Sequence, residues 1–228
     1  MKRLLYLLLL LPLAVQAAET SRDHYNRISL SASATGRTDN DTMIATLYAQ
    51  EEGSEAALLA NRVNQRIRWG VDQLQQYDKI KVQTLAYNTY PIYQKNHITG
   101  WRVRQSFRIE SKDMALVSKL LGKLQSKLAL ENIHFSVSPA QRNAAQNGLI
   151  QEALAAFEVR AKRIAESLHH GDYKVVHLSV NTAGGGGYQP QPRVMMSMKA
   201  EMADVAPPSV QAGEAVLTVS VNGEIELQ

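Results

Sequence analysis

Residues 42–74 read TMIATLYAQEEGSEAALLANRVNQRIRWGVDQL, and this stretch decides the fold. Its first ten residues alternate between apolar and polar side chains, which is typical of a half-buried strand. Ser54 follows as a suitable helix N-cap. The rest repeats apolar residues at spacings of four and three, which predicts a helix with one apolar stripe. The members of that stripe are Leu59, Val63, Ile67, Val71 and Leu74.

The two patterns recur on the C-terminal side of this stretch. Alternating or β-rich residues predict strands at 80–93 and 101–110, joined by a turn at 96–100. A second helix is predicted to start near Asp113, and a short strand follows at 132–138. Counted from the strand at 42–51, the order of the elements is β-α-β-β-α-β, the split βαβ arrangement. We therefore predict an α+β fold: a mixed, mainly antiparallel sheet with its helices packed on one face.

Further strands flank this unit. Residues 26–35 alternate in polarity and are predicted to pair with residues 42–51 as a hairpin, because turn-forming residues fill positions 36–41. Two more strands are predicted at 173–182 and 214–227. They complete the order β-β-α-β-β-α-β-α-β-β.

The third helix has the clearest start signal in the chain. Ser138 is a good N-cap, and Pro139 suits the first helical position because its missing N–H is not needed there. Apolar residues then recur at spacings of four and three as far as Leu168. The predicted packed face is Ile150, Leu154, Phe157, Ala161, Ile164 and Leu168.

The length of that helix leads to a prediction about assembly. About thirty residues would span roughly 45 Å, which exceeds a small domain. The terminal strands, 26–35 and 214–227, are expected to present unpaired edges that need cover. A homo-oligomer is therefore predicted. The alternative is a monomer whose third helix breaks near Gly148 and folds back.

The N-terminus predicts export. Residues 1–17 read MKRLLYLLLLLPLAVQA: two basic residues, an apolar run, and the small side chains of Val15 and Ala17 around a cleavage point. This is a secretory signal peptide. Its apolar run is shorter than the roughly twenty residues of a bilayer span, although an uncleaved anchor is the alternative. We predict a single domain over 18–228, periplasmic, with no stable membrane insertion after cleavage.

Bulk composition excludes several classes. Hydrophobic residues make up 45% of the chain and charged residues 20%, which is typical of a globular protein. The formal charge of +4 falls by two when Lys2 and Arg3 leave with the signal peptide, and no dense basic run exists. No nucleic-acid partner is expected. The chain has no cysteine, so disulfides and thiol catalysis are excluded.

A loop rich in glycine, proline and methionine is predicted at 183–213, and that composition indicates flexibility. Met195, Met196, Met198 and Met202 lie in it. Thioethers suit Cu(I) and oxidise reversibly, so these four are the candidate metal- or oxidant-binding residues. The favoured interpretation is adaptive packing, because no histidine or cysteine lies nearby in sequence. No metal or cofactor is expected.

No catalytic residues are predicted. The six histidines lack metal-site spacing, and no G-x-S-x-G elbow occurs. Glu51 and Glu52 indicate solvated charges at a strand end rather than an acid–base pair. Arg102, Arg104 and Arg108 share one strand face. They form either a patch for an anionic partner or, the favoured interpretation, a solvated sheet face.

Two histidine positions are interpreted structurally. His134 alternates with Ile133 and Phe135, so it is expected on the outward face of its strand. His169 and His170 follow the third helix, where they are expected to cap it. We predict that the protein is not an enzyme.

The order and spacing of several segments resemble one family, the SIMPL-domain proteins, exported bacterial proteins of the periplasmic-immunogenic and oxidative-stress-defence type. These segments are residues 28–34 (ISLSASA), the helix at 55–74 with the strand 80–84 (IKVQT), the turn through Gly100 and Trp101, residues 133–138 (IHFSVS) before the helix at 153–165, and residues 184–188 (GGGGY) before the Pro- and Met-rich loop. The resemblance covers essentially the whole mature chain.

This resemblance implies a periplasmic location, an α+β fold and an association with defence against oxidative or envelope stress. It supplies no catalytic residues. The leading hypothesis is a non-enzymatic assembly or interaction protein that forms a homo-oligomer and contacts an envelope protein partner. The alternative is a metal- or oxidant-binding protein that uses the methionine-rich loop, and an enzyme ranks third.

Overall fold

The computed structural model describes residues 25–184 and 211–228. Strands and helices follow one another in the predicted order, and the α+β class is confirmed. The elements are β1 (Arg27–Asp39), β2 (Thr42–Gly53), α1 (Ala56–Leu74), β3 (Lys81–Gln94), β4 (His97–Ser111), α2 (Met114–Leu124), β5 (Ala129–Ser136), α3 (Pro139–Ser167), β6 (Tyr173–Gly184) and β7 (Glu214–Leu227). The predicted signal peptide at residues 1–17 lies outside the described residues, as do residues 185–210 of the predicted loop.

The first lobe is built on an antiparallel sheet with the strand order β3-β4-β2-β5. This is the order that a split βαβ unit produces, so that prediction is confirmed. Helices α1 and α2 cover one face of the sheet. We call this unit the four-stranded lobe. Its fully buried side chains include Met43, Leu47, Val63, Leu74, Val103, Phe107, Ile109, Val117, Leu121 and Leu124.

The second lobe is an antiparallel sheet with the order β1-β7-β6, covered on one face by α3. We call it the three-stranded lobe. It has its own core, formed by alternate residues of β1 and β7 under α3. The buried members are Leu30, Ala32, Ala34, Leu149, Ala153, Phe157, Ala161, Ala165, Leu217, Val219, Val221, Ile225 and Leu227. The seven strands thus divide between two sheets.

The predicted hairpin between residues 26–35 and 42–51 is wrong. Strand β1 pairs along its whole length with β7, from Arg27 opposite Glu226 to Asp39 opposite Glu214. The chain changes sheet at Asn40, whose N–H donates to the Gly213 carbonyl at 3.1 Å. That bond extends the ladder with β7 by one position and directs the chain away from a tight turn.

This pairing also corrects the predicted sheet edges. Strand β7, residues 214–227, is the central strand of its sheet, and the edges are β1 and β6. The expectation that 214–227 would be an edge is therefore wrong. Its buried residues alternate along the strand because α3 covers them on one side.

Helix α3 is continuous over 29 residues and passes through Gly148 without a break. Its N-terminus has the predicted form, since the Ser138 hydroxyl accepts from the Gln141 N–H at 3.5 Å and Pro139 begins the helix. The predicted packed face is only partly right. The buried residues are Leu149, Ala153, Phe157, Ala161 and Ala165.

The shift of the packed face has a simple cause. Alanine at three of its five positions lets the helix backbone approach the sheet closely. Ile150, Leu154 and Ile164 therefore flank the contact and are partly buried, whereas Leu168 is exposed. The start of helix α1 differs from the prediction by one residue. Its N-cap is Glu55 rather than Ser54, and the Glu55 side chain makes no capping hydrogen bond.

The turn between β3 and β4 is tighter than the predicted 96–100. It consists of Lys95 and Asn96, with φ of 47° and 65°. Two successive positive φ values are the signature of a type I′ hairpin turn, which matches the twist of the strands it joins. The hairpin itself is confirmed.

The two lobes meet where β1 passes into β2 and β5 passes into α3. Asp41 is the centre of this junction. Its Oδ1 accepts from the Ser138 N–H at 2.6 Å, and its Oδ2 accepts from the Ser138 hydroxyl at 2.6 Å. Lys112 Nζ lies 2.8 Å from Oδ2, and the Thr42 hydroxyl donates at 3.1 Å. One carboxylate therefore joins three segments of the chain: the connection from β1 to β2, the residue after β4 and the residue before α3. Among the described residues no helix is long and apolar enough to cross a bilayer.

Candidate functional site

The first candidate surface is the face of the four-stranded sheet that α1 and α2 leave uncovered. Side chains of β4 alternate between the core and this face, because the strand has a period of two. Val103, Phe107 and Ile109 are buried against the helices, so Arg102, Arg104 and the other even positions of the strand occupy the open face. The prediction that Arg102, Arg104 and Arg108 share a face is confirmed.

Each of these arginines already has a partner. Arg102 Nε lies 2.6 Å from Glu52 Oε1, and Arg104 Nη2 lies 2.7 Å from Glu131 Oε1. The third donates from Nη2 to the side-chain oxygen of Gln83.

Aromatic stacking adds to this pairing. The guanidinium carbon of Arg104 sits 3.7 Å from the ring centroid of Tyr48, a cation–π contact. These partners neutralise or hold the basic groups, which favours the interpretation as a solvated sheet face over a patch for an anionic partner.

A shallow polar groove of about 390 Å³ runs along this open face. Its lining combines two guanidinium groups with carboxylate, amide and hydroxyl groups, so it offers many hydrogen-bonding partners. The lining residues are Gln50, Ala86, Asn88, Tyr90, Arg102, Arg104, Ser106 and Glu131. Within residues 25–184 and 211–228, no three histidine, aspartate or glutamate side chains come together in a way that could hold a metal ion.

His134 lies at one border of the open face, opposite Ile44 in the β2–β5 ladder. The outward position expected from the sequence is confirmed. Burial lowers the pKa of His134, and the positive charge of Arg108 lowers it further. The imidazole is thus biased toward its neutral form.

The two histidines after α3 do cap the helix, but through their backbone. His169 has a φ of 60°, and the His170 N–H donates to the Ala165 carbonyl at 3.0 Å. A left-handed residue followed by such a bond is a Schellman-type helix end. His170 Nδ1 also lies 3.2 Å from the Gln228 carbonyl oxygen, which joins the helix end to the C-terminus.

The interpretation of Glu51 as a solvated charge is wrong. Its side chain is only 16% exposed and lies 2.7 Å from Arg66 Nη2 and 4.0 Å from Arg62 Nη1. The two arginines are four residues apart on α1, so they share one side of the helix. That i, i+4 spacing was the signal available in the sequence. Glu52, in contrast, is on the open face.

A second exposed surface is the end of the β3–β4 hairpin. Strand β2 pairs with β4 only as far as Gly53, which lies opposite Trp101. Residues 91–100 of the hairpin therefore extend beyond the end of β2. Large side chains on and near this end remain exposed. They are Tyr87, Tyr90, Tyr93 and Ile98.

The third exposed surface is β6, an edge strand of the three-stranded sheet. Val175, Leu178 and Val180 share the sheet face that α3 covers elsewhere, because they pair with Ile225, Gly223 and Val221 of β7. They are 44%, 38% and 40% exposed. We call these three residues the β6 apolar row.

The position of α3 explains this exposure. The helix packs mainly on β1 and β7. Its polar contacts with β6 lie at the two ends, where Gln146 Nε2 donates to the Thr182 carbonyl at 3.0 Å and the Tyr173 hydroxyl lies 3.5 Å from the Glu158 carbonyl. Among the helices that the structure describes, none lies over the middle of β6. Sequence reasoning missed this, since the strand pattern gives no indication of where the helix axis lies.

The candidate metal- or oxidant-binding residues Met195, Met196, Met198 and Met202 lie outside the described residues. The alternative hypothesis that rests on them stays a prediction.

Taken together, the fold defines a two-lobed α+β protein with an open polar sheet face and an uncovered apolar edge strand. The family comparison agrees with this class. A family model described as SIMPL, a protein of unknown function (DUF541), matches residues 28–225. The chain belongs to this family, and the resemblance drawn from the sequence is confirmed. A search of curated proteins gave no match.

Proposed function

We propose that this protein is a periplasmic, non-enzymatic assembly protein that forms a homo-oligomer and acts in defence against oxidative or envelope stress. The observation that carries the proposal is the β6 apolar row. Soluble proteins seldom leave a strand edge and its apolar side chains uncovered, because such edges associate with other chains. An exposed edge in an exported protein without cysteine therefore favours assembly as the working state.

The location and the process rest on other support. The predicted signal peptide at residues 1–17 argues for export. The link to stress comes from the character of the family that the sequence resembles. Contact with an envelope protein partner is part of the same proposal, and the exposed tyrosines of the β3–β4 hairpin offer a surface for it that is separate from β6.

Fractionation and native mass test the location and the assembly. We expect the mature protein in the periplasmic fraction, with a native mass above one subunit in light scattering over a concentration series. Retention of residues 1–17 in the cytoplasm, or a mass of one subunit at every concentration, would contradict the proposal.

The stress role needs a cellular test. A strain that lacks the gene should lose viability in peroxide, and wild-type protein should restore it. A variant with Tyr93→Ser and Ile98→Ser at the hairpin end should remain an oligomer but restore less. Equal restoration would remove the hairpin from the proposal, while unchanged viability without the gene would remove the stress role.

A further inference from the structure

We infer that β6 is a homodimer interface, in which the β6 strands of two copies pair antiparallel about a two-fold axis at Ser179. This inference rests on the proposed assembly function and specifies its contact. The result is one continuous six-stranded sheet made from the two three-stranded sheets. The occupant of the edge is thus a second copy of this chain.

The first argument is a comparison of the sheet edges in the described residues. Strand β3 contains Pro91 and an irregularity between Thr84 and Tyr87, both of which hinder pairing. Strand β5 carries the charged side chain of Glu131, which disfavours pairing with another strand. Strand β1 lies under α3, and two side chains of the helix bind it. Arg160 donates to the Ser31 carbonyl. Gln141 donates to the Thr38 hydroxyl at 3.2 Å.

For β6, the α3 contacts described above within residues 25–184 and 211–228 lie at Tyr173 and Thr182. Its ladder with β7 is irregular between Val175 and His177 and again between Asn181 and Gly184. Residues 177–181 between these points are regular, contain no proline and carry no acidic or lysine side chain. A regular run without proline, lysine or acidic residues on a sheet edge is the form of edge that accepts another strand.

The centre of this regular run determines the register. A two-fold axis perpendicular to the sheet leaves each side chain on the same side of the joined sheet in both copies. Two residues can therefore pair across the axis only if their side chains point to the same side. With the axis at Ser179, Leu178 of one copy opposes Val180 of the other. His177 opposes Asn181 on the polar face. The pairing places apolar next to apolar and brings no like charges together.

The second copy also extends the β6 apolar row, because its own row lies beside the first on the same face of the joined sheet. A methyl group on Gly223 would lie 2.7 Å from Phe157 Cζ and 3.0 Å from Leu178 Cδ1, so Leu178 lies at the border of the α3 core. Apolar side chains of a partner strand would continue that core across the axis. The regular run covers only residues 177–181, a short contact for a complex that typically buries roughly 800 Å² per partner. The dimer should therefore dissociate on dilution.

The absence of cysteine gives a direct test. Ser179→Cys is nearly isosteric and places one thiol on each side of the axis, within reach of a disulfide. The matched control is Ser33→Cys, an exposed serine on β1, the other edge of the same sheet. Under mild oxidation of the mature protein we expect a covalent dimer from the first variant and none from the second.

A second pair of variants tests the same interface without a cross-link. Val180→Arg should raise the dimer dissociation constant roughly tenfold or more, because the arginine of each copy would then lie opposite the apolar Leu178 of the other copy. Val216→Arg is the control: Val216 is 46% exposed on β7 and lies outside the interface, so its native mass should match that of wild type. Thermal unfolding of each variant verifies that it is folded.

The outcomes separate this inference from the proposed function. A wild-type mass of one subunit at all concentrations would overturn both. A wild-type oligomer whose mass is unchanged by Val180→Arg, with no dimer from Ser179→Cys, would overturn only the β6 interface. A covalent dimer from Ser33→Cys alone would overturn it too, by assigning the contact to β1.

Discussion

The Asp41 carboxylate accepts two hydrogen bonds from Ser138, one from its backbone N–H and one from its hydroxyl, each 2.6 Å long. Ser138 is also the N-cap of α3. The carboxylate therefore holds the start of the helix that covers one sheet while it is itself attached to the first strand of the other. An acidic group at this end also interacts favourably with the helix dipole.

Asp41→Asn should destabilise the protein by about 2 kcal/mol. The reason is that one carboxylate oxygen becomes an NH2 group, which cannot accept from Ser138 or Lys112. Urea unfolding at pH 7 measures the effect. The control is Asp39→Asn, because Asp39 is exposed and is held through its backbone carbonyl by Gln141. Equal stabilities of the two variants would contradict the role assigned to Asp41.

The same carboxylate should make stability depend on pH. Partial burial by itself raises the pKa of Asp41, but hydrogen bonds from Lys112, Ser138 and Thr42 outweigh it and hold the pKa well below its usual range. The native protein then keeps Asp41 ionised at pH values where the unfolded chain takes up a proton. Its contribution is present above about pH 4, the unfolded pKa, and is lost as the pH falls below that value.

Urea unfolding at pH 7, 5 and 3 checks this expectation. The difference in unfolding free energy between wild type and Asp41→Asn should shrink between pH 5 and pH 3. A difference that stays constant over this range would show that the ionised form of Asp41 is not what stabilises the junction.

A third prediction concerns the open sheet face. Arg108→Gln should raise the pKa of His134, because the positive charge near the imidazole is removed. The pKa should still lie below its ordinary value of 6.5, since burial is the larger cause of the shift. NMR titration of the imidazole protons measures it. Arg102→Gln, on the same strand face, should leave the pKa of His134 unchanged, and an equal rise in both variants would contradict the assignment.

The sequence predicted those parts of the fold that local signals determine. Ser138 and Pro139 predict the start of α3, and Asp113 predicts that of α2; both caps are present. Alternation predicted the strands, and their order predicted the split arrangement of the four-stranded lobe. These features depend on residues within one turn or one strand of each other, so single-sequence reasoning can find them.

Long-range partners were not predictable in the same way. The pairing of β1 with β7 joins Arg27 to Glu226 across most of the chain, whereas a local hairpin with β2 fits the pattern of β1 equally well. The exposure of the β6 apolar row was unpredictable for the same reason, because it depends on long-range packing. Its exposure depends on where α3 lies across the sheet, and that is set by the contact of Phe157 with Gly223 rather than by any property of β6.

That contact gives the last prediction, a matched pair of glycine substitutions. Gly223→Ala should destabilise the protein by about 1–3 kcal/mol, the usual cost of overpacking a core. The new methyl would lie 2.7 Å from Phe157 Cζ and 2.8 Å from the His177 carbonyl oxygen. The ring cannot move far because it is fully buried, and the carbonyl belongs to the β6 backbone.

Gly148→Ala should have the opposite sign. Gly148 lies within α3, and a methyl there would meet no atom within 4 Å. Alanine should therefore stabilise the helix by up to about 1 kcal/mol, because glycine loses more backbone freedom on folding. Urea unfolding of both variants at pH 7 is the measurement. A destabilised Gly148→Ala would indicate that α3 is not continuous at this point, and a neutral Gly223→Ala would mean that the helix does not press on β7 at Phe157.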